Sequence, residues 1–190
     1  MATEQKEDRR SRRTRKLLVH ALFSLMQEKR YTAITVKDII QRADVGRSTF
    51  YLHCRDKEDL LEDGLDEMIH QIDHGALADG KHLFPVLQTF QHIQKEQHRF
   101  KSLAASGSID RLYQILEGYM RKNMEAFLAG QVPARRQPAV PIPVLAATIS
   151  GSFLALIKWY LDTKMSYSPE QMDQFFQQLV MPGVLAVLGK

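Results

Sequence analysis

Arg47, Ser48, Thr49, Tyr51 and His53 bring a guanidinium, two hydroxyls, a phenol and an imidazole into one short segment. Groups of this kind hydrogen-bond to base edges and phosphate oxygens, and a tyrosine ring or threonine methyl also touches a thymine methyl. Phe50 is expected to anchor the segment in a core, with the polar residues turned away from it. Shortly afterwards Lys57 opens a further predicted helix, where backbone N–H groups, the dipole and the ammonium suit a phosphate.

A helix must lie in front of this segment to position it. Val36, Ile39, Ile40 and Ala43 follow helical spacing, and Asp44-Val45-Gly46 then breaks the pattern. A short helix, a tight turn and a second short helix are the sequence form of a helix-turn-helix. Gly46 is expected to supply the turn and Val45 to plug the angle between the helices.

Charge distribution agrees. Residues 1–60 hold 14 Lys/Arg and 9 Asp/Glu, whereas residues 61–190 hold 12 and 13. The excess is therefore confined to the first third, as for a nucleic-acid module on a near-neutral body. A solubilising tail is the alternative, because Arg9, Arg10, Arg12, Arg13, Arg15 and Lys16 form one run.

Other chemistry is less well supported. The sequence has no G-x-S-x-G, P-loop, G-x-G-x-x-G or H-E-x-x-H, and no enzymatic activity is expected. His70 and His74 stand four apart with Asp66 one turn earlier, a spacing that presents two imidazoles to a metal. A complete site needs further ligands, from His82, His92 or His98, so a solvated helix face is the better expectation. No metal and no cofactor is expected. The single cysteine, Cys54, excludes a disulfide framework and reads as a packed small residue rather than a redox switch.

The chain of 190 residues is 44% apolar and 25% charged, an ordinary globular composition. The polar, basic start has no apolar segment of a signal peptide behind it. The longest apolar stretch, Ile142 to Ile157, is interrupted and shorter than the roughly 18–20 residues of a bilayer span. A soluble cytoplasmic protein is expected.

Helical periodicity recurs throughout and no strand signal competes with it. It predicts helices near 9–29, 36–43, 47–53, 57–76, 83–96, 98–104, 108–129, 142–165 and 169–187. Asp56 is placed to cap the fourth, with Asp59 in a capping-box position. Ser168-Pro169-Glu170-Gln171 combines a Ser cap, Pro in the first turn and Gln at the third position. Gly75 to Gly80 should fray the fourth helix. Four prolines between Gln131 and Pro143 demand a loop.

Residues 31–40 (YTAITVKDII), 43–53 (ADVGRSTFYLH) and 56–61 (DKEDLL) together resemble the DNA-binding domain of the TetR/AcrR family of bacterial transcriptional regulators. The likeness spans roughly residues 10 to 65. Cys54 departs from it, because the family usually has Phe there. The resemblance implies an all-α homodimer of about nine helices, with a three-helix DNA-binding domain over 1–56 and a helical effector-binding and dimerisation domain over 57–190. Thr35 and Lys37 would meet the DNA backbone, Arg47, Ser48 and Thr49 would read bases, and Tyr51, His53 and Lys57 would clamp phosphates. Residues 153–161 (FLALIKWYL) and 166–172 (SYSPEQM) are similar to the subgroup of regulators found near dihydroxyacetone-kinase genes.

Ala147, Gly151 and Ala155 lie four apart and suit a close helix–helix seam. Phe175, Phe176, Leu179 and Val180 give the following helix more apolar surface than one-sided packing needs. These two helices are expected to pair with their two-fold mates, the alternative being internal core helices of a monomer. Phe100, Tyr113, Met120, Met124, Phe127 and Trp159 are candidates to line an effector chamber, or else ordinary core.

The leading expectation is a sequence-specific DNA-binding regulator, a repressor released from a palindromic operator by a small-molecule effector. The alternative is a DNA-binding adaptor or co-activator whose C-terminal domain binds a protein partner. A metal sensor using His70 and His74 is a third reading.

Overall fold

The computed structural model describes residues 2–73, 85–131 and 138–188. The helices are α1 (Ala2–Glu28), α2 (Val36–Ala43), α3 (Arg47–His53), α4 (Lys57–Asp73), α5 (Val86–Lys95), α6 (Gln97–Ala105), α7 (Ile109–Gln131), α8 (Ile142–Asp162), α9 (Pro169–Leu179) and α10 (Met181–Leu188). A 3-10 turn covers Tyr31–Ala33. No strand occurs among the described residues, and the expected all-α class holds.

Three expectations need correction. α1 starts at Ala2, not near residue 9, so the basic run is helical. The single helix expected over 169–187 is broken at Val180, just before Met181-Pro182. Pro182 has no N–H and its ring would clash with the carbonyl four residues back in a continuous helix. The apolar stretch expected to be too short for a bilayer lies in α8, which is long and apolar enough to cross one by length and composition. Leu145, Ala146, Ile149, Phe153 and Tyr160 on α8 are nevertheless buried among protein side chains. The expected fraying at Gly75–Gly80, and His74 and His82, lie outside the described residues, as does most of the proline loop.

The chain divides into two compact units: Met1–Gln71 with Lys101–Arg111, and Ile72–Phe100 with Leu112–Lys190. In the first, the predicted α1 stripe of Leu18, Ala21, Leu22 and Leu25 is buried with Ile39 of α2, Phe50 of α3 and Leu60, Leu61 and Leu65 of α4. Removing each of the Leu, Ile and Phe side chains from water contributes about 1.5–3 kcal/mol. α4 approaches α1 so closely at Gly64 that a Cβ there would stand 2.4 Å from the Phe23 ring. α2 is held to α1 by the Arg42 fork, whose nitrogens donate to Glu28 Oε1 and Oε2 at 2.8 and 2.7 Å. This pair is largely solvated, so it fixes the angle of α2 more than it stabilises the fold.

The corner between α6 and α7 closes the far end of α1. A helix leaves its last carbonyls without intrahelical partners. Ser106 Oγ donates to the Met26 carbonyl at 2.5 Å, and Ser108 Oγ donates to the Lys29 carbonyl at 3.0 Å. Gly107 turns the chain between them at φ +71, a region costly for other residues.

The second unit is built round an aromatic cluster. Phe90 of α5 meets Tyr160 and Phe153 of α8 edge-on at 5.1 and 6.1 Å, and Phe153 meets Phe176 of α9 at 5.5 Å. Such edge contacts add about 0.5–1.5 kcal/mol each beyond burial. The Ser168 cap forms as expected. Its hydroxyl accepts from the Gln171 N–H, and its own N–H donates to Gln171 Oε1 at 2.9 Å.

Candidate nucleic-acid interface

Thr35 starts α2 with a reciprocal cap. Its hydroxyl oxygen accepts from the Asp38 N–H at 3.2 Å, and its N–H donates to Asp38 Oδ2 at 2.8 Å. Lys29 adds an ion pair to the same carboxylate at 2.9 Å. The Thr35 N–H, Lys29 and the Thr35 hydroxyl together hold the Asp38 carboxyl far below the usual carboxylate range. Thr35 and Lys37 are exposed at this helix start.

The turn to α3 departs from expectation. Its left-handed residue is Asp44, at φ 53 and ψ 50, whose N–H reaches the Gln41 and Ile40 carbonyls. Short polar side chains tolerate this conformation. Gly46 instead has φ −73 and caps α3 with extended backbone that any residue adopts. A Cβ at Gly46 would make only ordinary contacts with Thr49 and Ser48. The residue that makes the turn therefore stands two positions ahead of the glycine that signals it.

Phe50 is fully buried and anchors α3, as expected. Arg47, Ser48 and Tyr51 are exposed, whereas Thr49 and His53 are half-buried. The Arg47 guanidinium lies 6.0 Å from the centroid of the Tyr51 ring, and Tyr51 stands edge-on to Phe50 at 5.3 Å. The core thus braces Tyr51, and Tyr51 braces Arg47. The His53 Nδ1 is 3.3 Å from the Ser11 hydroxyl of α1. Leu52 was missed by sequence reasoning. It is 81% exposed on this short helix, an apolar group available to a thymine methyl. Its signal was an apolar residue that the Phe50 anchor does not need.

Lys57 requires a correction. Its ammonium does not project outward: it donates to the Tyr31 and Ile34 carbonyls at 3.0 and 2.8 Å. The Tyr31 ring lies 4.4 Å away, and its negative face attracts the ammonium. The side chain therefore joins α4 to the 3-10 turn. The Asp56 cap of α4 forms, with its Oδ1 accepting from the Asp59 N–H at 2.8 Å. Asp59 turns to the Arg55 N–H and guanidinium instead of completing the box.

Cys54 is buried, and desolvation raises its thiol pKa to about 11. It is protonated at neutral pH, as befits a packed residue. His70 is exposed, and no group of three or more His, Cys, Asp or Glu among the described residues is arranged to hold a metal.

The effector and dimer candidates separate in the second unit. Met120 and Met124 are buried in its core cluster, and Phe100, Tyr113 and Phe127 pack against that cluster. Trp159 does not join them. It is 43% exposed and lies against Tyr167 at 5.7 Å, because its position on α8 faces away from Phe153 and Tyr160. Ala147 and Ala155 are exposed, and a Cβ on Gly151 would meet nothing within 4 Å. Leu179 is 75% exposed. Phe176 is a correction: at 1% exposed it belongs to the internal core, while Phe175 lies half-buried beside Tyr167.

A capped helix, a three-residue turn and a core-anchored helix with a polar exposed face define a helix-turn-helix DNA-binding protein of the transcriptional-regulator class. Residues 18–63 match the tetR family of bacterial regulatory proteins, and residues 84–182 match a transcriptional regulator C-terminal region. The chain belongs to the TetR family.

The chain is 25% identical over 184 residues to the uncharacterized HTH-type transcriptional regulator YxbF of Bacillus subtilis (strain 168). That match covers 93% of this chain and 47% of the relative, so the chain spans about half the relative's length. The crystal structure of a TetR transcriptional regulator from Streptococcus agalactiae 2603V is similar with a TM-score of 0.60 and 25% identity, over 93% of this chain and 98% of that one. The dihydroxyacetone kinase operon activator DhaS shares the fold at a TM-score of 0.51 and 18% identity, over 92% and 97%.

Proposed function

We propose that this chain is a cytoplasmic, dimeric repressor that reads a palindromic operator and leaves it when a small molecule binds. The observation that carries this reading is the exposed Arg47, Ser48 and Tyr51 face of α3, held rigid from behind by Phe50. Residues 1–71 with 101–111 act as the DNA-reading head, so the boundary expected at 56/57 moves into the last turn of α4, and the second unit acts as the effector-binding and dimerising part. Arg47, Ser48 and Thr49 read bases, with Leu52 beside them. Thr35, Lys37, Tyr51 and His53 contact the backbone, and α4 offers its N-terminal N–H groups where Lys57 does not offer its charge. Its activity is binding, without catalysis.

Two copies pair through the open face of α8, at Ala147, Gly151 and Ala155, together with Phe175 and Leu179. Two-fold symmetry then presents two α3 helices to successive major grooves, roughly 34–36 Å apart. An effector acts only through its different affinity for the operator-fitting and non-fitting dimers. Phe100, Tyr113, Met120, Met124 and Phe127 remain the candidates to touch it.

A second reading, a DNA-bound adaptor or co-activator that recruits a protein, is favoured by the likeness to an activator of a dihydroxyacetone kinase operon. Fluorescence anisotropy with DNA from upstream of its own gene, against a scrambled duplex at several salt concentrations, tests the DNA reading. Tight binding to one palindrome that survives moderate salt supports it. Equal binding to both duplexes with a steep salt slope reports phosphate contacts alone and counts against it.

A further inference from the structure

Successive side chains of α3 turn about 100° round its axis, so those beside the buried Phe50 sort into three ridges. Thr49 and His53 share a half-buried flank, where His53 Nδ1 stands 3.3 Å from the Ser11 hydroxyl of α1. Arg47 and Tyr51 share the other flank, with the guanidinium 6.0 Å from the centroid of the ring. Ser48 and Leu52 stand two residues either side of Phe50, each about 20° from the direction opposite to it. These two, on successive turns, form the outward crest of the helix.

Leu52 is 81% exposed, more than any other large apolar side chain among the described residues. An isobutyl group left in water adds nothing to the packing of the fold, and its area is free to be buried by whatever meets the crest. In the major groove the base edges present one apolar group, the C5-methyl of thymine, beside the O4 acceptor. Cytosine presents an N4 donor in place of O4, and it carries a methyl on C5 only when modified. The Ser48 hydroxyl both donates and accepts, so it suits O4 and N4 alike. The leucine is therefore the crest residue that distinguishes a methylated pyrimidine edge from an unmethylated one.

We propose that Leu52 is a specificity-determining residue that reads the C5-methyl group of one pyrimidine in each half-site, with Ser48 bonding the adjacent O4 or N4. This rests on the DNA-binding reading and deepens it, because it names the base feature that the crest recognises. Thymine and 5-methylcytosine carry the same methyl group, and the two sources are separated by base substitution.

The test compares the full chain with its Leu52→Ala variant on a duplex that the parent chain enriches from a random library of unmodified DNA. Each thymine is replaced in turn by deoxyuridine, which removes the methyl alone, and each cytosine by 5-methylcytosine, which adds it. One deoxyuridine per half-site should weaken parent binding about fourfold, the worth of one buried methyl-sized group, and this result identifies thymine as the source. A gain of similar size on 5-methylcytosine, with every deoxyuridine silent, identifies modified cytosine instead. In either arm Leu52→Ala should erase the difference, and its melting temperature should match the parent's. A methyl effect that persists in Leu52→Ala, or no methyl effect at any position, overturns the Leu52 assignment and leaves the DNA reading standing. A lowered melting temperature would show Leu52 packed in the fold and counts against the assignment equally. A parent chain that enriches no duplex overturns the DNA reading and the assignment together.

Discussion

The Lys57 ammonium donates to the Tyr31 carbonyl at 3.0 Å and sits 4.4 Å from the centroid of the same residue's ring. One side chain thus ties the start of α4 to the 3-10 turn behind α2. A hydrogen bond to a charged group contributes about 1.5–3 kcal/mol. Lys57→Met should lower stability by about 1–3 kcal/mol while leaving the salt slope of DNA binding unchanged. Denaturant melts and a salt titration check both parts. A variant of unaltered stability but shallower slope would return Lys57 to the phosphate-clamp role.

Arg47 and Tyr51 should behave differently although they touch. Arg47→Ala should relax sequence preference, with base discrimination weakened by about 1–3 kcal/mol at the position it reads. Tyr51→Ala should weaken binding to all duplexes and also loosen Arg47, whose guanidinium rests over the ring. Competition against single-base operator variants separates the two effects. Retained preference in Arg47→Ala would remove its base-reading assignment.

The α6–α7 corner holds the head through three consecutive residues. Ser108→Ala leaves the Lys29 carbonyl without its donor and should cost about 1 kcal/mol. Gly107→Ala should cost about 1–2 kcal/mol from the left-handed backbone, and its Cβ would also stand 3.2 Å from Arg30 Nε. Thermal melts of the two variants are the measurement, and a wild-type melting point in Gly107→Ala would contradict the strain.

Leu179 and Phe176 test the proposed seam. Leu179→Lys should leave a folded chain and dissociate the dimer, because this side chain is exposed in the single chain. Phe176→Ala should instead destabilise the fold itself by about 3–5 kcal/mol. Sedimentation beside circular dichroism distinguishes the outcomes. A Leu179→Lys protein that remains dimeric would exclude this residue from the interface.

His92 gives the second unit a pH dependence. Burial lowers its pKa, with Glu96 opposing and Lys95 and Arg99 assisting, and the Phe100 ring lies edge-on at 6.2 Å. The unfolded chain therefore takes up the proton first. Stability should be level above the ordinary histidine value of 6.5 and fall as the pH drops through it. His92→Gln should flatten that slope in urea melts run on both sides of the value.

Much of the head was legible because its signals are local. The stripe Val36, Ile39, Ile40, Ala43 and the Asp56 cap of α4 each depend on residues within a turn or two of one another. Gly46 misled because a glycine announces freedom of the backbone without saying which neighbour uses it, and here Asp44 adopts the left-handed conformation. Trp159 misled because a large aromatic residue on an apolar helix suits the core and a surface equally. Only its angular position relative to Phe153 and Tyr160 decides between them.

Periodicity, caps and the 47–53 segment determined by themselves a helical chain with a helix-turn-helix, since each follows from near neighbours along the backbone. The tertiary structure decided where long side chains end. Lys57 could reach outward to a phosphate or inward to carbonyls, and it turns inward because the 3-10 turn brings two of them and a ring within reach. Phe175 and Phe176 are adjacent in sequence and similar in chemistry. Their directions differ by about 100° round the helix, which sends Phe176 into the aromatic cluster and leaves Phe175 beside Tyr167.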